Sequence, residues 1–239
     1  MDLRIGCSGW SYEHWRGDFY PEGLPRGQWL EHYCRSFDTV ELNASFYRLP
    51  AAKTVQGWRG RTPYGFTFAV KVSRLITHTH RFDGVEELLA HFLERVRALG
   101  DRLGPLLHQA PPSLARDDAL LARYLDLLPH DLVHAFEFRH DSWWDAGVLS
   151  LLRDRGATFV VYNMGNDTTP VVATAPDLYV RLHGPGTAYG SGYTDDQLRG
   201  WLDRIHGLGA ARAWVYFNND VGGHAPRNAR RMVELAAGR

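Results

Sequence analysis

One unit recurs along this chain and narrows its folds to a few. It is clearest in Ala135-Phe136-Glu137-Phe138-Arg139-His140-Asp141-Ser142-Trp143-Trp144. Alternate side chains of a strand face opposite ways. Ala135, Glu137 and Arg139 therefore share one face, and Phe136 and Phe138 share the other. The phenylalanines want an apolar layer, whereas the other face starts small and ends in two opposite charges. Asp141 or Ser142 is placed to cap a helix, whose apolar stripe continues through Leu149 and Leu152 to Gly156. A strand charged only at its carboxyl end and followed at once by a helix is the unit of a parallel α/β fold.

The unit repeats. Strands are expected at Leu3 to Ser8, Thr39 to Asn43, Phe66 to Val72, Pro105 to Gln109, the stretch from Ala135, Thr158 to Asn163, Leu178 to His183 and Ala213 to Asn218. Helices fit between them at Gln28 to Ser36, Lys53 to Arg59, Val85 to Leu99 and Asp117 to Leu128. A capping box, Thr194-Asp195-Asp196-Gln197, opens a further helix. A final helix has Pro226 in its first turn. No helix is expected after the sixth strand, where Asn166-Asp167-Thr168-Thr169-Pro170 is rich in turn residues. Eight strands with this spacing predict an α/β fold, a single (β/α)8 TIM barrel over residues 1–239, irregular after strand six. Such barrels place active sites at the carboxyl ends of their strands.

Composition removes some functions. Basic and acidic residues number 27 each, so no global positive charge points to nucleic acid. The two cysteines, Cys7 and Cys34, make neither a disulfide framework nor a zinc pattern. Thr77-His78-Thr79-His80 lacks further ligands nearby and reads as a polar loop. Met1-Asp2-Leu3-Arg4 enters a strand with no signal-peptide core, and no apolar run reaches membrane-spanning length. These features point to the cytoplasm and away from membranes.

Several motifs fall in order along the chain: Gly6-Cys7-Ser8-Gly9-Trp10-Ser11-Tyr12, Phe19-Tyr20-Pro21, Val40-Glu41-Leu42-Asn43-Ala44-Ser45-Phe46-Tyr47 and Phe68-Ala69-Val70-Lys71. Gln109-Ala110-Pro111-Pro112, Glu137-Phe138-Arg139, Tyr179-Val180-Arg181-Leu182-His183-Gly184 and Tyr216-Phe217-Asn218-Asn219-Asp220 follow. Together they resemble the YecE-like family of domain of unknown function seventy-two. The resemblance spans nearly the whole chain and implies a TIM barrel, but no settled activity. One departure stands at the end of the sixth strand, where related chains often carry aspartate and this chain has Asn163.

The candidate site is the set of polar residues at the strand ends. It comprises Glu41, Asn43, Lys71, Gln109, Glu137, Arg139, Asn163, Arg181, His183 and Asn218, with Asn219 just beyond and Trp10, Tyr47 and Tyr189 at the rim. The plain alternative is a structural salt-bridge layer plugging the barrel. The cations Lys71, Arg139 and Arg181 outnumber the anions, which favours a small anionic partner such as a phosphate or carboxylate compound. Gly222 and Gly223, ahead of the last helix, offer amides to the same anion; their plain alternative is turn geometry.

Glu137, kept ionised by Arg139, is expected as a general base, and His183 as the proton donor. Lys71 reads either as a Schiff-base amine or, more simply, as the partner of Glu41. No cofactor is expected. A divalent metal on Glu41, Glu137 and His183 is the competing arrangement, which the nearby cations oppose. A glycosidase using Glu41 and Glu137 is another. Three functions stay open: an enzyme doing acid/base or hydrolytic chemistry on a small anionic or polyhydroxylated substrate; a nucleic-acid binding or processing protein using Trp10, Trp15, Tyr47 and Tyr189 with the arginines; and a non-catalytic ligand-binding barrel.

Overall fold

A computed structural model describes residues 1–238. Its strands are β1 (Asp2–Cys7), β2 (Thr39–Leu42), β3 (Thr67–Lys71), β4 (Leu103–Ala110), β5 (His134–Phe138), β6 (Thr158–Met164), β7 (Asp167–Thr168), β8 (Asp177–Leu182) and β9 (Arg212–Phe217). The helices are α1 (Trp29–Tyr33), α2 (Ala44–Tyr47), α3 (Ala52–Gly60), α4 (Glu86–Arg97), α5 (Asp118–Asp126), α6 (Ala146–Asp154), α7 (Asp195–Gly207) and α8 (His224–Ala237). Eight parallel strands run in the order β1, β9, β8, β6, β5, β4, β3, β2. A single parallel bridge, Ser8 to Glu41, joins the two ends into a nearly closed TIM barrel. Gly6 permits that closure, because a Cβ there would overlap the Thr39 carbonyl.

The two faces of each strand sort as the alternation requires. Ala69, Leu107, Ala135, Val160, Tyr179, Trp214 and Tyr216 fill the barrel interior as one cluster. The alanines leave room for the large rings opposite. Phe136, Phe138, Phe68 and Val70 face outward into the layer beneath the helices. On α4 the buried stripe is Leu89, Phe92 and Val96.

Two local expectations change. The cap of α6 is Asp145, whose carboxylate accepts the Gly147 amide at 2.7 Å, while Asp141 opens a short 3-10 turn instead. The His78 segment is a π-helical turn, Leu75–Thr79. After β6 the chain makes an antiparallel hairpin with β7 and reaches β8 without a helix, the irregularity expected there. The pairing of β5 with β6 stops at Phe136 and Phe159, so these strands part toward their carboxyl ends. Among the described residues no helix is long and apolar enough to cross a membrane.

Candidate functional site

Strand parity turns Ser8, Glu41, Lys71, Gln109, Glu137 and Arg181 inward toward the carboxyl ends of their strands, where Gln109 and Glu137 are register partners. Arg181 occupies the middle. Its Nε donates to Glu41 Oε2 at 2.9 Å, its Nη2 to Glu41 Oε1 at 2.8 Å and its Nη1 to Glu137 Oε2 at 2.7 Å. Glu41 also accepts from the Ser8 hydroxyl and from Tyr179 at 2.7 Å. Glu137 Oε1 accepts from Gln109 Nε2 at 2.7 Å and from Arg139 Nε. Both carboxylates and Arg181 are buried.

Burial alone would raise both carboxyl pKa values. Arg181, with help from its neighbours, outweighs burial at Glu41 and holds it below the usual range. Arg139 and Arg181 do the same at Glu137, more strongly. Glu137 is therefore ionised but saturated with donors, which makes it a poor general base. Neither carboxyl is available as the protonated acid that a two-carboxylate glycosidase requires. The lone pairs that would hold a metal are taken by Arg181. Among the described residues no group of three or more histidine, cysteine, aspartate or glutamate side chains is arranged to bind one.

His183 lies one level higher, buried, with Nε2 3.1 Å from Arg139 Nη2 and Nδ1 3.1 Å from the Asn218 amide. Burial first, then Arg181, push its pKa well below the ordinary value. The ring is neutral and carries one proton. Arginine only donates, so Nε2 is the acceptor and Nδ1 holds the ring proton. His183 thus orients Arg139 and does not fit the expected role of proton donor. Arg139 further lies over the Tyr162 ring at 4.4 Å.

Lys71 is the exception to this saturation. It is not the partner of Glu41, whose oxygens are filled by others, and among the described residues its ammonium makes no hydrogen bond or ion pair. Its ammonium sits 4.1 Å from the centre of the Phe46 ring. Burial first, then Arg181, lower its pKa from 10.5 to about 8. It lines a cavity of about 470 Å³ together with Tyr12, Asn43, Phe46, Arg139 and Asn218. Asn43 donates to Ser8 Oγ at 2.7 Å, while its own Oδ1 is buried and unpartnered. Tyr47 and Tyr189, 79% and 40% exposed, stand at the rim. A second cleft of about 870 Å³ adjoins through Gln109, Arg139 and Tyr189, with Trp144, Tyr162 and Met164 in its wall.

Six expected residues lie elsewhere. Asn163 is on the outward face of β6, as its register partner Leu182 shows, and Tyr162 takes the inward place beside Arg181. Its amide donates to Gly165 O, Asp167 O and Thr168 Oγ1, pinning the β7 hairpin. The aspartate-to-asparagine departure therefore does not reach the mouth. Asn219 is buried and donates to Ser191 O and Asn228 Oδ1. Trp10 packs edge-on against Trp58 at 5.6 Å and Phe68 at 6.2 Å, outside the barrel. Gly222 and Gly223 adopt positive φ. The Asp18 carboxylate, paired with Arg227 at 2.6 Å, lies against Gly223, so an acid of the chain itself already faces that turn. Trp15, expected as an exposed stacking ring, is buried with Phe19 and Tyr20 in a small outer core.

Sequence reasoning also missed Ser8 and Tyr162. Parity alone identifies both, Ser8 from Gly6 and Tyr162 from Val160. A preference for polar side chains selected Asn163 instead.

A model of the family described as protein of unknown function DUF72 matches residues 4–239. UPF0759 protein YunF of Bacillus subtilis (strain 168) is 28% identical over 98% of this chain and 94% of its own length. UPF0759 protein YecE of Escherichia coli (strain K12) is 30% identical over 73% of this chain and 62% of its own length. The crystal structure of a DUF72 family protein from Thermotoga maritima MSB8 superposes with a TM-score of 0.89 at 28% identity, covering 99% of this chain and 100% of that one. The family match spans the whole barrel, from β1 to α8, and on that ground this chain belongs to the DUF72 family.

Proposed function

We propose that the protein is an enzyme whose mouth pocket takes a small anionic molecule, seated by its carboxylate or phosphate group between Lys71 and Arg139. A contrast in charge pairing carries this reading. Glu41 and Glu137 are neutralised by arginine, whereas Lys71 faces the cavity with no ion-pair partner among the described residues. An ammonium in a water-poor pocket attracts an anion more strongly than the same group in bulk water. The unpartnered Asn43 Oδ1 supplies an acceptor for a hydroxyl or amine of the same molecule.

Proton transfer then falls to Lys71 rather than to the carboxylates. A group with a pKa of about 8 exchanges protons near neutral pH. The anion reading is tested by calorimetry of small carboxylates, inorganic phosphate and sugar phosphates against the wild type and Lys71→Met. Anion binding that Lys71→Met loses, with neutral polyols silent, is the expected result. Equal binding of neutral polyols to both proteins would overturn it. Oligonucleotide binding that falls steeply with salt would replace it with a nucleic-acid function. The enzyme assignment is tested separately, by following turnover of each bound anion with the wild type and Lys71→Met. Binding without turnover of any of them would leave a non-catalytic ligand-binding barrel.

A further inference from the structure

We infer that Lys71 forms an imine with the carbonyl group of a small oxo acid held in the mouth pocket. The inference rests on the anion reading above and names the substrate class. Of the 27 basic residues two are lysines, Lys53 and Lys71, and the rest are arginine. From buried Arg181 to the surface ion pairs, this chain carries positive charge on guanidinium groups. A guanidinium keeps its proton throughout the working pH range, whereas an amine can give it up and act as a nucleophile. Charge alone therefore does not account for a lysine at the barrel mouth.

The surroundings suit an amine that reacts. Among the described residues Lys71 has no ion-paired acid to hold its proton; it lies on the Phe46 ring and stands near the cations Arg181 and Arg139. Desolvation and neighbouring cations are the two means by which proteins free a lysine amine. Glu137 and Glu41 oppose the effect, but both are committed to arginine. His78, beside Phe46, is itself pushed down to about 4 and adds no charge near neutral pH.

In the step, the neutral Nζ forms a bond to the carbonyl carbon while the C=O π pair moves to oxygen. The oxygen gains a proton as the nitrogen loses one, giving a carbinolamine. That hydroxyl leaves as water with the second nitrogen hydrogen, and C=N remains. Nothing is oxidised or reduced. The carboxylate of the oxo acid stays on Arg139.

The test treats the intact protein with glyoxylate and sodium cyanoborohydride near neutral pH, followed by peptide mapping. Exposed Lys53 on α3 is the internal reference. Labelling at Lys71 is expected to run roughly tenfold or more faster than at Lys53. Lys71→Arg, which keeps the charge, should remove the fast label. Labelling at Lys71 no faster than at Lys53 would overturn the inference. Calorimetry with glycolate, which has no carbonyl, separates the two ideas. Glycolate binding without fast labelling removes the imine and keeps the anion site; neither result removes both.

Discussion

Arg181 grips Glu41 through two parallel hydrogen bonds, Nε to Oε2 at 2.9 Å and Nη2 to Oε1 at 2.8 Å, and both residues are buried. Its remaining nitrogen reaches Glu137. A buried cluster of this kind adds little stability over an apolar filling, but it fails badly when one member is removed. Arg181→Met leaves Glu41 without a counter-charge and Glu137 with Arg139 alone, and is expected to cost about 3–5 kcal/mol. The urea midpoint measures it. Adding Glu41→Gln to that variant should recover part of the loss; a single variant as stable as the wild type would refute the account.

A histidine chain outside the barrel sets a pH dependence. Pro129 O only accepts, so His134 donates from Nε2 at 3.0 Å. Its Nδ1 then accepts from His108 Nε2 at 3.0 Å, and His108 Nδ1 accepts the Tyr124 hydroxyl at 2.9 Å. Burial pushes both histidines below their ordinary 6.5, His108 far below it. For groups with depressed folded pKa values, the unfolded chain binds the protons first as pH falls. Their contribution is full above 6.5 and is lost as pH drops below it. Urea midpoints should decline through that window, before the carboxylates titrate. The double variant His108→Phe with His134→Leu should flatten the slope, leaving the shares of His183, His78 and His32.

Gly6→Ala tests the barrel seam. The new methyl meets the Thr39 carbonyl, which belongs to the backbone of β2 and has little room to move. Overpacking of this sort costs roughly 1–3 kcal/mol. Thermal unfolding should show the loss, while an equivalent change at Gly57, where no neighbour lies near, should not.

Tyr189 holds a φ of 65° and stands at the junction of the two cavities. Tyr189→Gly removes the ring and relieves the left-handed backbone. Stability should stay within about 1 kcal/mol of the wild type or rise slightly. Affinity for the anions that bind the wild type should fall by calorimetry. Unchanged affinity would show that the rim ring does not touch the ligand.

How much of this was legible in the sequence depends on what each feature rests upon. The barrel was legible because alternation along Ala135 to Arg139 and its repeats is a local property of the chain. The convergence of Glu41, Glu137 and Arg181 followed from the same alternation. Partner choice was not legible: Lys71 and Arg181 each had a claim on Glu41, and only three-dimensional reach decides between a long guanidinium from β8 and an amine from β3. The proton state of His183 was equally hidden, since it depends on burial and on cations from three other positions. The Asp18 carboxylate beside Gly223 comes from the far end of the chain, and no local pattern announces it.

The grip of Arg181 on β2 and β5 acts as a tie-rod through the centre of the barrel. Strands fastened to one another from within cannot part to admit a guest. On the proposed reading, traffic in and out of the mouth belongs to the segments carrying Tyr47 and Tyr189, and the rate of anion exchange should follow their motion rather than any breathing of the sheet.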